Sequence, residues 1–478
     1  MATVKIIDPV SRIEGHMKIE VTLELVSGVQ QVVDARASGT MFRGFELILK
    51  GRPPMDASYI TQRVCGVCPV SHGIAASSAL DNAQHISIPT QGRLLRNIIL
   101  GANFVQSHVL HFYHLALLDF VAGPSKGPWQ PSWTADHNRL SGTDAHALMD
   151  HYITALTIRR QAHELAALFG GKMPHPSSIV PGGCTATPQS DRITAARMLL
   201  LQILPFLENV YLSDLQRLMQ TYSDYYTIGD GYGNLLAFGG FDLDATGNNR
   251  LFRRGRLTAS QTGIQSVNLD AITESITYGW YADSDKTKNP ATASTTPQPG
   301  KATGYSWIKA PRYESLPYEV GPLARMMVNG DYTRGISVAD RHLARANEAI
   351  KIAQQIGRWL DQLSPSGRTF TAPGKFSTAS GVGLAEAPRG ALGHWVQIAE
   401  GTISSYQIVT PTCWNASPRD ERNALGPIEK ALIGSPVQNA DEPVEVTRVI
   451  HSFDPCLACA VHVFRPGSKG VVQRLPFG

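Results

Sequence analysis

Arg63-Val64-Cys65-Gly66-Val67-Cys68-Pro69 places one cysteine pair near the start of the chain, and Asp454-Pro455-Cys456-Leu457-Ala458-Cys459-Ala460-Val461-His462 places a second near its end. Each is a C-x-x-C, and together they hold four of the six cysteines. One such motif alone fits a redox disulfide, half of a zinc site or chance. Two can converge as four thiolates, which select soft or borderline metals such as zinc, iron and nickel. A zinc ribbon closes a loop of about 15–20 residues between its pairs, whereas here most of the chain lies between Cys68 and Cys456. Clamping both ends of a large domain to one centre describes a site that the whole fold exists to enclose.

The chain is 478 residues long, 43% apolar and 17% charged, the balance of a globular protein with a large core. A formal charge of +4 without any lysine or arginine run argues against nucleic acid or an anionic membrane as the partner. The start, Met1-Ala2-Thr3-Val4-Lys5-Ile6-Ile7-Asp8-Pro9, has no basic region followed by an apolar one, so no secretory signal is expected in this chain. Asn97 to Leu118 lacks Asp, Glu, Lys and Arg but contains His108, His111, His114 and Gln106, which fits a buried helix better than a membrane span. Cys184 and Cys413 remain as free thiols in apolar surroundings.

Met17, Ile19, Val21, Leu23 and Leu25 alternate with polar residues, predicting a strand with one wet face, a turn at Ser27-Gly28 and a second strand near Gln31 to Arg36. The pattern turns helical from about Asp56, and Gly66 and Pro69 predict a helix end or tight turn presenting Cys65 and Cys68 to one side. Helices are predicted over Arg93 to Phe120 and Asp144 to Phe169, over Asp191 to Tyr222 with an interruption at Pro205, and over Asp340 to Leu363 after a cap at Ser337. Gly123 to Thr134 and Asp283 to Gly304 read as surface excursions, and after Gly381 short strands and turns are expected. The expected fold is α+β and mainly helical: a central bundle of long helices flanked by small β regions at both ends, with the metal centre where the chain ends meet.

The two cysteine motifs resemble the metal-binding motifs of the large subunit of nickel-iron hydrogenases, of the respiratory uptake type. The likeness runs through Arg12-Ile13-Glu14-Gly15-His16, Gly39-Thr40-Met41-Phe42-Arg43-Gly44, Phe169-Gly170-Gly171-Lys172-Met173-Pro174-His175-Pro176, Glu386-Ala387-Pro388-Arg389-Gly390-Ala391-Leu392-Gly393-His394-Trp395 and Thr412-Cys413-Trp414-Asn415. It implies a reversible hydrogen oxidation to protons and electrons. It implies Cys65 and Cys456 as terminal nickel ligands, Cys68 and Cys459 as bridges to an iron carrying carbon monoxide and cyanide, and Glu46, His462 and the Ile408 carbonyl around a divalent ion such as magnesium. Arg389 matches an arginine over the reacting site, with Asp454 as its carboxylate partner; the base is either this guanidinium or the Cys456 thiolate. Thr412 matches a hydroxyl bonded to a cyanide, Pro388 an apolar wall, and His72 a donor to a bridging sulfur. Glu14 matches the glutamate that relays the proton outward, a role favoured by a desolvated carboxyl. Read without the resemblance, each of these is also an ordinary residue: an exposed glutamate, a core histidine, a strand threonine, a buried ion pair.

One position departs from many relatives, which carry an aspartate where Ser107 stands beside His108; Arg389 is then expected to have one carboxylate fewer around it. The resemblance further implies a single domain over residues 1–462 and a C-terminal extension over 463–478 that a maturation endopeptidase removes after nickel-insertion proteins load the metal. Two spare cysteines cannot bind a four-cysteine iron-sulfur cluster, so electrons are expected to leave through an iron-sulfur small subunit. That partner would direct export to the periplasmic face, with membrane association only through partners; a cytoplasmic location is the other option. A hydrogen-sensing protein of the same fold and a four-cysteine structural zinc protein are the rival readings.

Overall fold

The alternation that begins at Met17 is realised as a strand. In the computed structural model, which describes residues 2–12, 15–124, 129, 133, 138–140, 142–285 and 287–457, Thr3–Ile7 (β1), Met17–Val26 (β2) and Val29–Gly39 (β3) form an antiparallel sheet in that order. Met17, Ile19, Val21 and Leu23 are fully buried, but Leu25 is 72% exposed. Leu25 lies on the predicted face; the β2–β3 hairpin simply runs past the core, leaving Val26 and Val29 uncovered as well. β3 also binds a late part of the chain, since Val32 N–H donates to Ser435 O and Gly434 N–H to Val32 O.

Phe45–Leu49 (α1) and Asp56–Ile60 (α2) lead to a tight turn over Thr61–Val64, and Cys68 then caps Pro69–Ala83 (α3), with Pro69 at the first helical position where its missing N–H is harmless. Thr90–Val109 (α4) is buried almost all round and continues through a wide turn, Leu110–Ala116, to Asp119. Gly142–Gly170 (α5), Ser190–Phe206 (α6) and Leu212–Thr221 (α7) follow. The predicted interruption at Pro205 is not a break: a π turn over Leu207–Tyr211, directly after the proline, carries α6 straight into α7. The wider turn absorbs the hydrogen bond that proline cannot make.

Pro322–Asn329 (α8) precedes Val338–Asp361 (α9), whose cap is as predicted: Ser337 Oγ accepts from Asp340 N–H at 3.1 Å. α4 packs on α5 and α9, and α6 packs on α5 and α9. Ala379–Ala387 (β4), Gly390–Ala399 (β5) and Thr402–Val409 (β6) then form an antiparallel meander, longer than the short strands expected. The meander lies directly on α3: a Cβ on Gly383 would meet Ala75 O at 1.9 Å and one on Gly381 would meet Ala79 O at 2.0 Å. Only glycine allows this approach. The remainder is not strand but three short helices, Pro411–Asn415 (α10), Pro427–Leu432 (α11) and Val444–Ser452 (α12). Prolines at their first turns and only one or two helical turns each hide their periodicity from sequence.

Candidate metal centre

Cys65 leaves the tight turn in extended backbone, and its sulfur accepts N–H bonds from Val67 at 3.3 Å and Cys68 at 3.2 Å. Such bonds stabilise a thiolate. Cys456 arrives from α12 through Asp454, whose φ of 56° is left-handed, a conformation aspartate tolerates better than most side chains. The two sulfurs stand 3.4 Å apart, unlinked and fully buried. Opposite ends of the sequence therefore meet. Cys68 is buried beside them, while Cys459 lies outside the described residues. Among the described residues no three histidine, cysteine, aspartate or glutamate side chains converge as a complete ion site.

Ala387 pairs with Gly390 across β4 and β5, so Pro388-Arg389 form a two-residue hairpin loop. The loop tip carries Arg389 inward. Its Nε donates to Asp454 O and its Nη2 to Asp454 Oδ1, both at 2.8 Å, which realises the predicted pair. Arg389 Nη1 and Asp454 Oδ2 are buried with no hydrogen-bond partner among the described residues. Burial opposes the charge on Arg389, but Asp454 and then the Cys456, Cys68 and Cys65 sulfurs outweigh it and hold the guanidinium protonated. Burial pushes the Asp454 carboxyl upward. Pro388 is buried, and its carbonyl accepts from Arg325 Nη2 at 2.8 Å. Thr412 Oγ1 accepts from Cys456 N–H at 3.2 Å, so this hydroxyl also fixes the backbone at Cys456.

His72 lies one turn after Cys68 on α3 and is fully buried. Its Nδ1 is 3.1 Å from His394 Nε2, and its Nε2 has no partner among the described residues. Burial, with Arg43 second, lowers its pKa to about 3 and keeps it neutral. Ser107 is buried with an unpartnered hydroxyl. Glu14 and His462 lie outside the described residues, as does the 463–478 extension. Nearby, Arg12 Nη2 donates to Asp119 Oδ1 at 2.6 Å, and His451 bridges Asp119 and the Val10 carbonyl. The segment leading to Glu14 is thus tied to the helix that delivers Cys456.

Glu46 Oε1 accepts from Ile408 N–H at 3.0 Å, which joins two of the predicted divalent-ion residues. Its Oε2 accepts from Thr295 Oγ1 and from Lys309 Nζ at 3.2 Å. Lys309 also donates to Gln407 Oε1 at 2.9 Å and lies 3.7 Å from Glu274. Sequence reading missed this box. Its one legible trace is Lys309 alone among Trp307, Ile308, Ala310 and Pro311. The predicted surface excursion Asp283 to Gly304 is corrected here, because it buries Asp285 and supplies Thr295 to the carboxylate. Burial, then Lys309 and Glu46, leave the Glu274 pKa at about 7.

The donor set fits a nickel-iron centre: two buried, unlinked sulfurs in contact, with a guanidinium donor and a buried imidazole nitrogen that have no partner among the described residues. A closed zinc site has no use for an unpaired cationic donor.

A family profile described as nickel-dependent hydrogenase matches residues 43–126, 122–336 and 331–462, and one described as HoxL-like matches residues 5–36. The chain is 40% identical to the periplasmic [NiFeSe] hydrogenase large subunit of Desulfomicrobium baculatum, covering 98% of this chain and 96% of that one. It is 32% identical to the hydrogenase-2 large chain of Escherichia coli, with 98% of each covered. Its fold superposes on the Ni-Fe-Se hydrogenase of D. vulgaris Hildenborough in the reduced state with a TM-score of 0.93 at 41% identity, covering 97% of this chain and 100% of that one.

Proposed function

The chain belongs to the nickel-dependent hydrogenase family as a large subunit, and from that premise we propose how its own residues serve the oxidation of hydrogen. It is a hydrogenase of the uptake kind rather than a hydrogen sensor. The centre, when bound, supplies the redox chemistry that splits hydrogen. Cys65, Cys68, Cys456 and Cys459 hold it. The observation that carries this reading is the contact of Cys65 and Cys456 beneath an arginine with one donor to spare.

Arg389 holds its guanidinium over the centre, fixed by Asp454. Its Nη1, without a partner among the described residues, would offer a hydrogen bond to an iron-bound cyanide, and the Thr412 hydroxyl would offer one to the other. Pro388, at the tight loop before Arg389, walls the site with apolar surface. The Cys456 sulfur would receive the proton and pass it toward Glu14, since the Arg389 guanidinium is held protonated and has no lone pair to take it, and His72 would donate from Nε2 to a bridging sulfur. Glu46, the Ile408 carbonyl and His462 would hold a magnesium-like ion; the bond from Ile408 N–H to Glu46 Oε1 supports this by bringing two of the three together.

α4, α5, α6 and α9 are read as the central bundle, with the metal centre where the chain ends meet. Residues 1–462 are read as one domain, and 463–478 as an extension removed on maturation by an endopeptidase after nickel insertion; the hydrogenase profile ends at 462. Electrons pass to an iron-sulfur small subunit, and the periplasmic name of one relative supports export with that partner. Infrared spectroscopy of the purified heterodimer tests the centre: carbon monoxide and cyanide stretches are expected, and their absence together with zinc in place of nickel would overturn the reading.

A further inference from the structure

Three buried side chains on three elements form one line. His72 on α3 meets His394 on β5 through Nδ1 and Nε2 at 3.1 Å, and His394 Nδ1 meets Tyr406 Oη on β6 at 2.8 Å. All three are at least 98% buried. The close seat of β4 on α3 at Gly381 and Gly383 brings these elements together. No water-exposed group joins the line, and Tyr406 Oη makes its one side-chain hydrogen bond here among the described residues.

A neutral imidazole has one N–H and one bare nitrogen. A chain of two such rings and a phenol therefore has two self-consistent polarities. In one, Tyr406 donates to His394 Nδ1, His394 Nε2–H donates to His72 Nδ1, and His72 is left with Nε2–H. In the other every bond is reversed, and His72 presents a bare Nε2. The geometry itself limits the protons: at 3.1 Å only one of His72 Nδ1 and His394 Nε2 carries a hydrogen toward the other, and the Tyr406 hydroxyl at 2.8 Å can donate to His394 Nδ1.

We propose that His394 and Tyr406 are positioning residues for His72, their hydrogen bonds fixing it as the tautomer whose Nε2–H points to the thiolate side of α3. This rests on the reading of His72 as a donor to a bridging sulfur. Electron-rich sulfur selects the polarity that ends in an N–H, and the phenol at the far end locks it, because its hydroxyl supplies the proton that His394 Nδ1 needs. Tyr406 thereby tunes a sulfur it does not touch. A core tyrosine placed only for packing would have no such effect.

The test uses the purified heterodimer and the infrared stretch of the iron-bound carbon monoxide. Loss of a hydrogen bond to a bridging thiolate returns electron density to iron and moves that band to lower wavenumber. His72→Leu is expected to shift it most, His394→Leu next and Tyr406→Phe least, all in that direction. His394→Gln, whose amide can accept from Tyr406 and donate to His72, is expected to restore the wild-type position. A shift in His72→Leu with unshifted bands in both His394→Leu and Tyr406→Phe overturns the relay and leaves the His72 reading standing. An unshifted band in His72→Leu overturns both. Should His394→Leu fail to fold, Tyr406→Phe decides alone, since it removes one oxygen and no packing volume.

Discussion

Arg325 and Arg389 are both almost wholly buried and approach the same hairpin tip, yet they are finished differently. Arg325 spends every donor. Nε and Nη2 clamp Glu348 at 2.6 and 2.7 Å, Nη1 reaches Glu386 at 2.7 Å and Ala387 O at 2.9 Å, and Nη2 also reaches Pro388 O at 2.8 Å. His108 closes the network on Glu348 at 2.8 Å. Arg389 spends two nitrogens on Asp454, and its Nη1 has no partner among the described residues. A satisfied buried cation is part of the framework, whereas one held beside thiolates with a donor to spare is open to a partner that the described residues do not supply. The first arginine holds the loop, and the second uses it.

If that contrast is right, Arg325→Met strands Glu348 and Glu386 in the core and costs about 3–5 kcal/mol. Loss of soluble protein, or a large fall in the thermal midpoint, is the expected result; a variant as stable as wild type breaks the comparison. Arg389→Lys keeps the charge but not the fork, and a fall of about 10²–10³ in hydrogen uptake is expected with nickel content and thermal midpoint near wild type. Equal losses in stability and activity would make Arg389 a second framework arginine.

Acidification sharpens the point from another side. His108 is held neutral to a pKa of about 4 by burial, against its ordinary 6.5. The unfolded chain therefore binds a proton below pH 6.5 that the fold refuses, and stability falls by about 1.4 kcal/mol per pH unit from that histidine between roughly 6.5 and 4. Glu348, which its Arg325 and His108 partners hold at about 2 against its burial, adds stability that is lost only as pH drops below its ordinary 4.5 toward 2. Thermal midpoints that rise from pH 7 to 5 would contradict this sign. The smallest effect is expected from Ser107→Asp. A second carboxylate near the guanidinium should shift the metal-centre spectra and alter activity only modestly, and spectra and activity both identical to wild type would remove Ser107 from the account.

Sequence alone conveyed the parts with a local signature. Two cysteine pairs, the serine cap of α9 and the alternation of β2 each follow from chemistry within a few residues. Asp454 as the partner of Arg389 was legible because it sits in the cysteine motif itself. The parts set by packing were silent. Lys309 is a single charge in an apolar run, and nothing local says that Glu46 lies within reach. His394 stood inside a recognised motif, but its meeting with His72 and Tyr406 depends on how closely β4 rests on α3. Pro205 promised a break that a wider helical turn removed, and Asp283 to Gly304 had the composition of a surface loop while supplying a buried threonine.

Cys65 and Cys456 touch although they stand 391 positions apart in the sequence, so the timetable of synthesis enters the chemistry. At about 5–20 residues per second, a ribosome needs on the order of a minute to make the chain, and Cys65 and Cys68 emerge in its first seconds. For the rest of that interval they stand without their counterparts, and a centre that needs both cysteine pairs cannot close until the carboxy-terminal motif has been made.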